Sequence, residues 1–149
     1  MTRLQARKLA VDLPPKWEGR IFRDVGGEPT LHAANFPLPA QDGDYGAKAT
    51  GSMGPNGAFF ALTEFDPALA DTALFHRWGM PRKLHPADFD PRALMRTLPG
   101  QAGIQRFFHA RGRAFCLYVV VGHRPSRIRL VRRVNDVLRT VEIERRTHS

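Results

Sequence analysis

The chain has one cysteine, Cys116, so no disulfide can form within it. That residue sits in the apolar run Phe115-Cys116-Leu117-Tyr118-Val119-Val120-Val121, where a free thiol packs as a small hydrophobe. A reactive thiolate needs an electropositive, accessible setting instead. With Ala114 before it this run reaches eight residues, the longest uninterrupted apolar stretch, far below the ~20 residues of a membrane-spanning helix. The first ten residues carry bases without an apolar segment behind them, so no cleavable signal is expected. Together these absences predict a cytoplasmic chain with no membrane insertion.

Recognisable chemistry is equally scarce. The six histidines, His32, His76, His85, His109, His123 and His148, show no spacing that sets two ligands on one metal. A two-residue turn at Arg111-Gly112 pairs His109 with Ala114, far from His123. Ser52 lacks the G-x-S-x-G frame, and the glycine-rich Gly51–Gly57 stretch has no GK[ST] and precedes a strand. Asp66 and Asp90 read as helix caps, and Asp42 and Asp44 as turn formers. No helix-turn-helix, zinc-finger or RNP-type pattern is present, although Phe107 and Phe108 beside Arg106 suit either base stacking or core packing. The expectation is a chain without metal, cofactor or catalytic residues.

What is present is ordinary for a globular protein: 42% apolar and 25% charged residues over 149 positions. That length suits one domain, and halves of it would be short of core. Residues 146–149 are expected to form a disordered tail. The charge is less ordinary, +9 with a pI near 11.0, and nineteen of the 23 bases are arginine. Residues 106–149 hold eleven arginines against Asp136, Glu142 and Glu144, a net of +8, which leaves +1 for the rest. Such a basic half fits nucleic acid, anionic lipid or an acidic protein, and equally a solvated helix face.

Alternation predicts a strand over Leu4–Leu13 that ends at Pro14-Pro15, a strand or turn at Trp17–Arg23, and a strand over Leu31–Phe36. A long Gly/Pro-rich connection, 37–57, precedes a strand over Gly57–Phe65. Asp66-Pro67 and Asp90-Pro91 open short helices. Ile104–Ala110 and Arg113–Val121 form a hairpin, its second strand covered on both faces. Ser126 begins a helix to about Arg139, with Ile128, Val131, Val134 and Leu138 inward and Arg127, Arg132, Arg133 and Arg139 outward. Val141-Glu142-Ile143 extends it. The predicted fold is α+β: one twisted antiparallel sheet of five or six strands, the C-terminal helix on one face, and short helices or loops on the other.

The stretch Leu9-Ala10-Val11-Asp12-Leu13-Pro14-Pro15-Lys16-Trp17 and the closing Leu138-Arg139-Thr140-Val141-Glu142-Ile143 resemble the opening and ending of small uncharacterised proteins of high-GC bacteria. More distantly, this layout is similar to the Mog1/PsbP-like fold. That resemblance implies a binding or accessory role without catalysis, and it assigns no site residue.

Two surfaces are candidates. Arg124, Ser126 and Arg127 surround a helix start, where free N–H groups and the dipole attract anions; the alternative is a serine N-cap among solvated arginines. Arg77, Trp78, Met80, Arg82 and Lys83 have the composition of an interface hot spot, unless Trp78 is buried. The expectation is a non-enzymatic domain that engages another protein. The alternative is anion or nucleic-acid binding by the arginine-rich C-terminal hairpin and helix, and salt dependence separates the two.

Overall fold

The computed structural model describes residues 1–146. It shows an α+β protein with two antiparallel sheets where the sequence predicted one. The difference begins at Arg7-Lys8. Both residues have left-handed φ, 51° and 64°, and the two-residue turn they form folds Leu4–Leu13 back on itself. β1 (Thr2–Ala6) thus pairs antiparallel with β2 (Leu9–Leu13). Such turns usually carry Asn-Gly, and their absence here hides the reversal. β8 (Glu142–Ile143), read from sequence as an extension of the last helix, adds to β2 and completes the sheet β1-β2-β8.

The larger sheet is built from β3 (Glu18–Phe22), β4 (Thr30–Ala34), β5 (Ala58–Phe65), β6 (Ala102–Ala110) and β7 (Arg113–Val121). Its order is β3-β4-β5-β7-β6. The β6–β7 hairpin has the expected register, with His109 opposite Ala114. β7, expected to be central, is an interior strand between β5 and the edge strand β6 and is buried along its whole length, which explains its lack of polar alternation.

One face of this sheet carries Leu31, Phe60, Leu62, Phe115, Leu117 and Val119 into the main core. The cover is shared by two elements. β2 supplies Leu9, Val11 and Leu13, and helix α2 (Arg127–Leu138) supplies Leu130, Val131, Val134, Val137 and Leu138. Each of those helix side chains contributes roughly 1.5–3 kcal/mol by burial. A second sheet therefore stands where the sequence predicted helix alone. Ile128 is the other correction on α2: it is 63% exposed, because at 100° per residue it lies about 120° from the centre of the buried stripe.

The opposite face holds Phe59, Ala61, Tyr118 and Val120, covered by the 37–57 connection through Tyr45, Met53 and the short helix α1 (Ala47–Gly51). Asp42 sets that helix by accepting from Lys48 N–H (3.0 Å) and Ala49 N–H (2.9 Å). Asp66 and Asp90 cap as expected, each accepting from the backbone two residues on, at the starts of the 3-10 turns Pro67–Asp71 and Pro91–Ala93. Arg146 donates to Glu28 (2.8 Å), so the described chain remains docked at the start of the predicted tail; 147–149 lie outside the described residues.

Candidate functional site: the Trp78 groove

Trp78 stands out because it is 80% exposed while the backbone around it is firmly held. The outer edge of β6 pairs with no other named strand among the described residues, and His109 on that edge grips the segment three times. Its N–H donates to the Arg77 carbonyl (2.9 Å), its carbonyl accepts from Gly79 N–H (2.9 Å), and its Nδ1 meets the Phe75 carbonyl at 2.6 Å. A carbonyl only accepts, so Nδ1 carries the proton. Phe75 is buried on one side of Trp78, and Met80 packs against the main core on the other. The indole between them points to solvent. Display of this kind is rigid, and large aromatics held in solvent mark interaction surfaces.

Beside Trp78 runs an open groove of about 1010 Å³. Trp78, Met80 and Arg82 form one wall, β8 with Arg145 the other, and the β6–β7 turn at Arg111-Gly112 the floor. Arg82 is anchored, donating to the carbonyls of Leu138 (2.8 Å) and Arg139 (3.3 Å), so it closes the C-terminus of α2. Of the five residues singled out in the sequence, Trp78, Met80 and Arg82 line the groove. Arg77 and Lys83 are exposed on the same segment but outside the lining. The wall of Glu142–Arg145 and the clamp at His109 were not foreseen. No local signal marks them, since they reach the groove only through strand pairing.

The proposed anion cluster does not assemble. Arg127 donates to the carbonyls of Pro86 (3.2 Å) and Arg124 (3.1 Å), so its guanidinium ties loops to the helix. The Ser126 hydroxyl bonds His123 Nδ1 (3.0 Å) and caps no helix amide. Only Arg124 is left exposed there. A basic surface lies along α2, where Arg129, Arg132 and Arg133, with Ser126, Ile128 and Asp136, line a depression of about 720 Å³, and Arg129 also donates to Asn56 Oδ1 (2.9 Å).

The groups with altered acidity lie elsewhere and are structural. His32 is buried between Phe22 and Phe59, with Nε2 bonded to the Asp44 carbonyl at 2.8 Å; burial lowers its pKa despite that bond. Asp44 is raised, first by burial and then by Asp24. Burial pushes Tyr45 and Cys116 up to about 12 each. These residues join the 37–57 connection to the sheet, and His32 has no open face for a substrate. Among the described residues, no group of three or more His, Cys, Asp or Glu could hold a metal ion. Nor, among them, is any helix long and apolar enough to cross a membrane.

No protein-family model matches this chain, and no curated protein or solved structure matches it either. Any functional reading therefore rests on the geometry of these surfaces. The Trp78 groove is the better built of the two, because its aromatic, its clamp and its second wall come from three separate elements.

Proposed function

We propose that this chain is a non-enzymatic binding domain, acting in the cytoplasm, that engages a protein partner at the Trp78 groove. The observation that carries this reading is the 80% exposure of an indole whose flanking backbone is bonded to a core strand. Its backbone is held on both sides, at Arg77 and at Gly79. Partner contact would bury the indole at little entropic cost, which is how aromatic anchors dominate binding energy.

The test is capture from the lysate of the source cells by wild-type protein and by Trp78→Ala. A protein partner that survives nuclease and is lost from Trp78→Ala is the expected result. Capture unchanged by the substitution would place the interface elsewhere.

A second reading is favoured by one specific observation, the exposed Ile128 in one depression with Arg129, Arg132 and Arg133. That face suits a polyanion such as nucleic acid. Three or four phosphate contacts, with Arg124 included, give a log–log salt slope of roughly −3 to −4 on duplex DNA. Duplex binding measured from 50 to 200 mM salt, with Arg132→Glu/Arg133→Glu as the comparison, decides it.

A further inference from the structure

We infer that the occupant of the Trp78 groove is an extended acidic peptide segment that adds as a strand to the open edge of β8. This rests on the proposed protein-binding role and specifies the partner's chemistry. In the order β1-β2-β8 the outer side of β8 has no neighbouring strand among the described residues. Glu144 N–H donates inward to the Lys8 carbonyl at 3.0 Å, and Ile143 lies opposite Leu9. Antiparallel pairs alternate between bonded and non-bonded, so the N–H and C=O of Ile143 point outward into the groove. The other edge facing the groove is already occupied, since His109 bonds Arg77 and Gly79. Ile143 is thus the place where a visiting backbone finds its partners, and an exposed edge templates such pairing.

The charge selects the visitor. Glu142 and Glu144 line the groove, but Arg3 bonds the first (2.9 Å) and Lys8 stands 3.7 Å from the second. On the same lining Arg82 carries a charge satisfied only by carbonyls. Arg111 and Arg145 have no carboxylate partner among the described residues. The groove is therefore positive once its own acids are neutralised, and it attracts a negative segment. Its volume of about 1010 Å³, at the top of the ~300–1,000 Å³ range of small-molecule pockets, leaves room for a piece of chain. A helix would leave the outward groups of Ile143 unused, whereas a strand pairs them and sets alternate side chains against Trp78 and the arginines.

The experiment is selection of a random decapeptide library, displayed on phage, against the full chain, with Trp78→Ala and Arg111→Glu/Arg145→Glu as comparisons. These side chains are exposed, so the variants should melt with the wild type. The expected result is Trp78-dependent peptides in which Asp or Glu alternates with apolar residues. The best of them, made synthetically, should bind Arg111→Glu/Arg145→Glu at least tenfold more weakly. Methylating the backbone nitrogens of one alternate set in that peptide should abolish binding to the wild type, and methylating the other set should not. Peptides that depend on Trp78 but show no acidic bias, or that tolerate both sets of methylation, would overturn strand addition while leaving the protein-binding role standing. Absence of any Trp78-dependent peptide would overturn both.

Discussion

Arg113 and Glu64 form a bidentate ion pair with both side chains withdrawn from solvent: Nε to Oε2 at 3.0 Å and Nη2 to Oε1 at 2.7 Å. The same guanidinium donates to the carbonyls of Lys8 (3.0 Å), Glu144 (2.8 Å) and, at 3.4 Å, Arg7. One side chain at the start of an interior strand of the large sheet therefore holds the β1–β2 turn and the residue that follows the last strand of the small one. It also satisfies the carbonyls of Arg7 and Lys8, the two residues in the left-handed region. Removing one partner leaves the other charge buried, at about 3–5 kcal/mol. Glu64→Gln and Arg113→Met are each expected to lose that much in urea unfolding. The double variant Glu64→Gln/Arg113→Met should lose clearly less than the sum, and additive losses would show that the two do not act as a pair.

Stability should fall as pH drops below neutrality, and His32 is the reason. Its folded pKa is lowered from 6.5 by burial, so the unfolded chain takes up a proton first. The loss starts near 6.5 and continues until the folded value is reached. Asp44, raised above 3.8 chiefly by burial, works in the opposite sense. Its contribution is fully present below 3.8 and disappears as pH rises through the folded value. Urea midpoints between pH 7 and 5 should show the decline in wild type and a flatter profile in His32→Gln.

The Cys116 thiol should be inert in the folded protein. It is fully buried, and burial pushes its pKa up to about 12, so at pH 8 only roughly one part in ten thousand is thiolate. A disulfide reagent at pH 8 should label nothing in the native state and one thiol per chain in denaturant. Prompt native labelling would contradict this packing.

Gly46 should not accept a side chain. It has φ +70°, and a Cβ there would lie 2.2 Å from the Phe59 ring. Left-handed strain costs about 1–2 kcal/mol and overpacking about 1–3. Gly46→Ala should thus destabilise by about 2 kcal/mol or more, read from the urea midpoint. Gly43→Ala, where a Cβ meets nothing within 4 Å, should lie within about 0.5 kcal/mol of wild type.

Elements whose signals are local were legible in the sequence. The β6–β7 hairpin follows from the turn at Arg111-Gly112, where both residues have positive φ, and from the apolar run after it. The aspartate caps followed from Asp-Pro pairs, and the buried thiol from its neighbours. Trp78, Met80 and Arg82 stood out as an aromatic and basic cluster. Missed were the reversal at Arg7-Lys8, which has the geometry of a hairpin turn without its usual residues, and β8, two residues long and therefore without a period to read. Ile128 was misplaced because spacings of three, three and four leave room for an outlier 120° off the stripe.

Composition, charge and short-range pattern thus determined by themselves the α+β class, a fully buried interior strand, the amphipathic last helix and the residues available for an interface. These depend on each residue's own preferences and on its neighbours within a few positions. Only the tertiary structure decided that a second sheet shares the cover of the first, that Arg113 joins them, and that His109 and β8 turn Trp78 into one wall of a groove. The pairs concerned, such as Arg113 with Lys8 and His109 with Phe75, lie 105 and 34 residues apart. Such contacts gain their energy from desolvated, geometrically matched partners, and no local pattern records which distant strand will supply them.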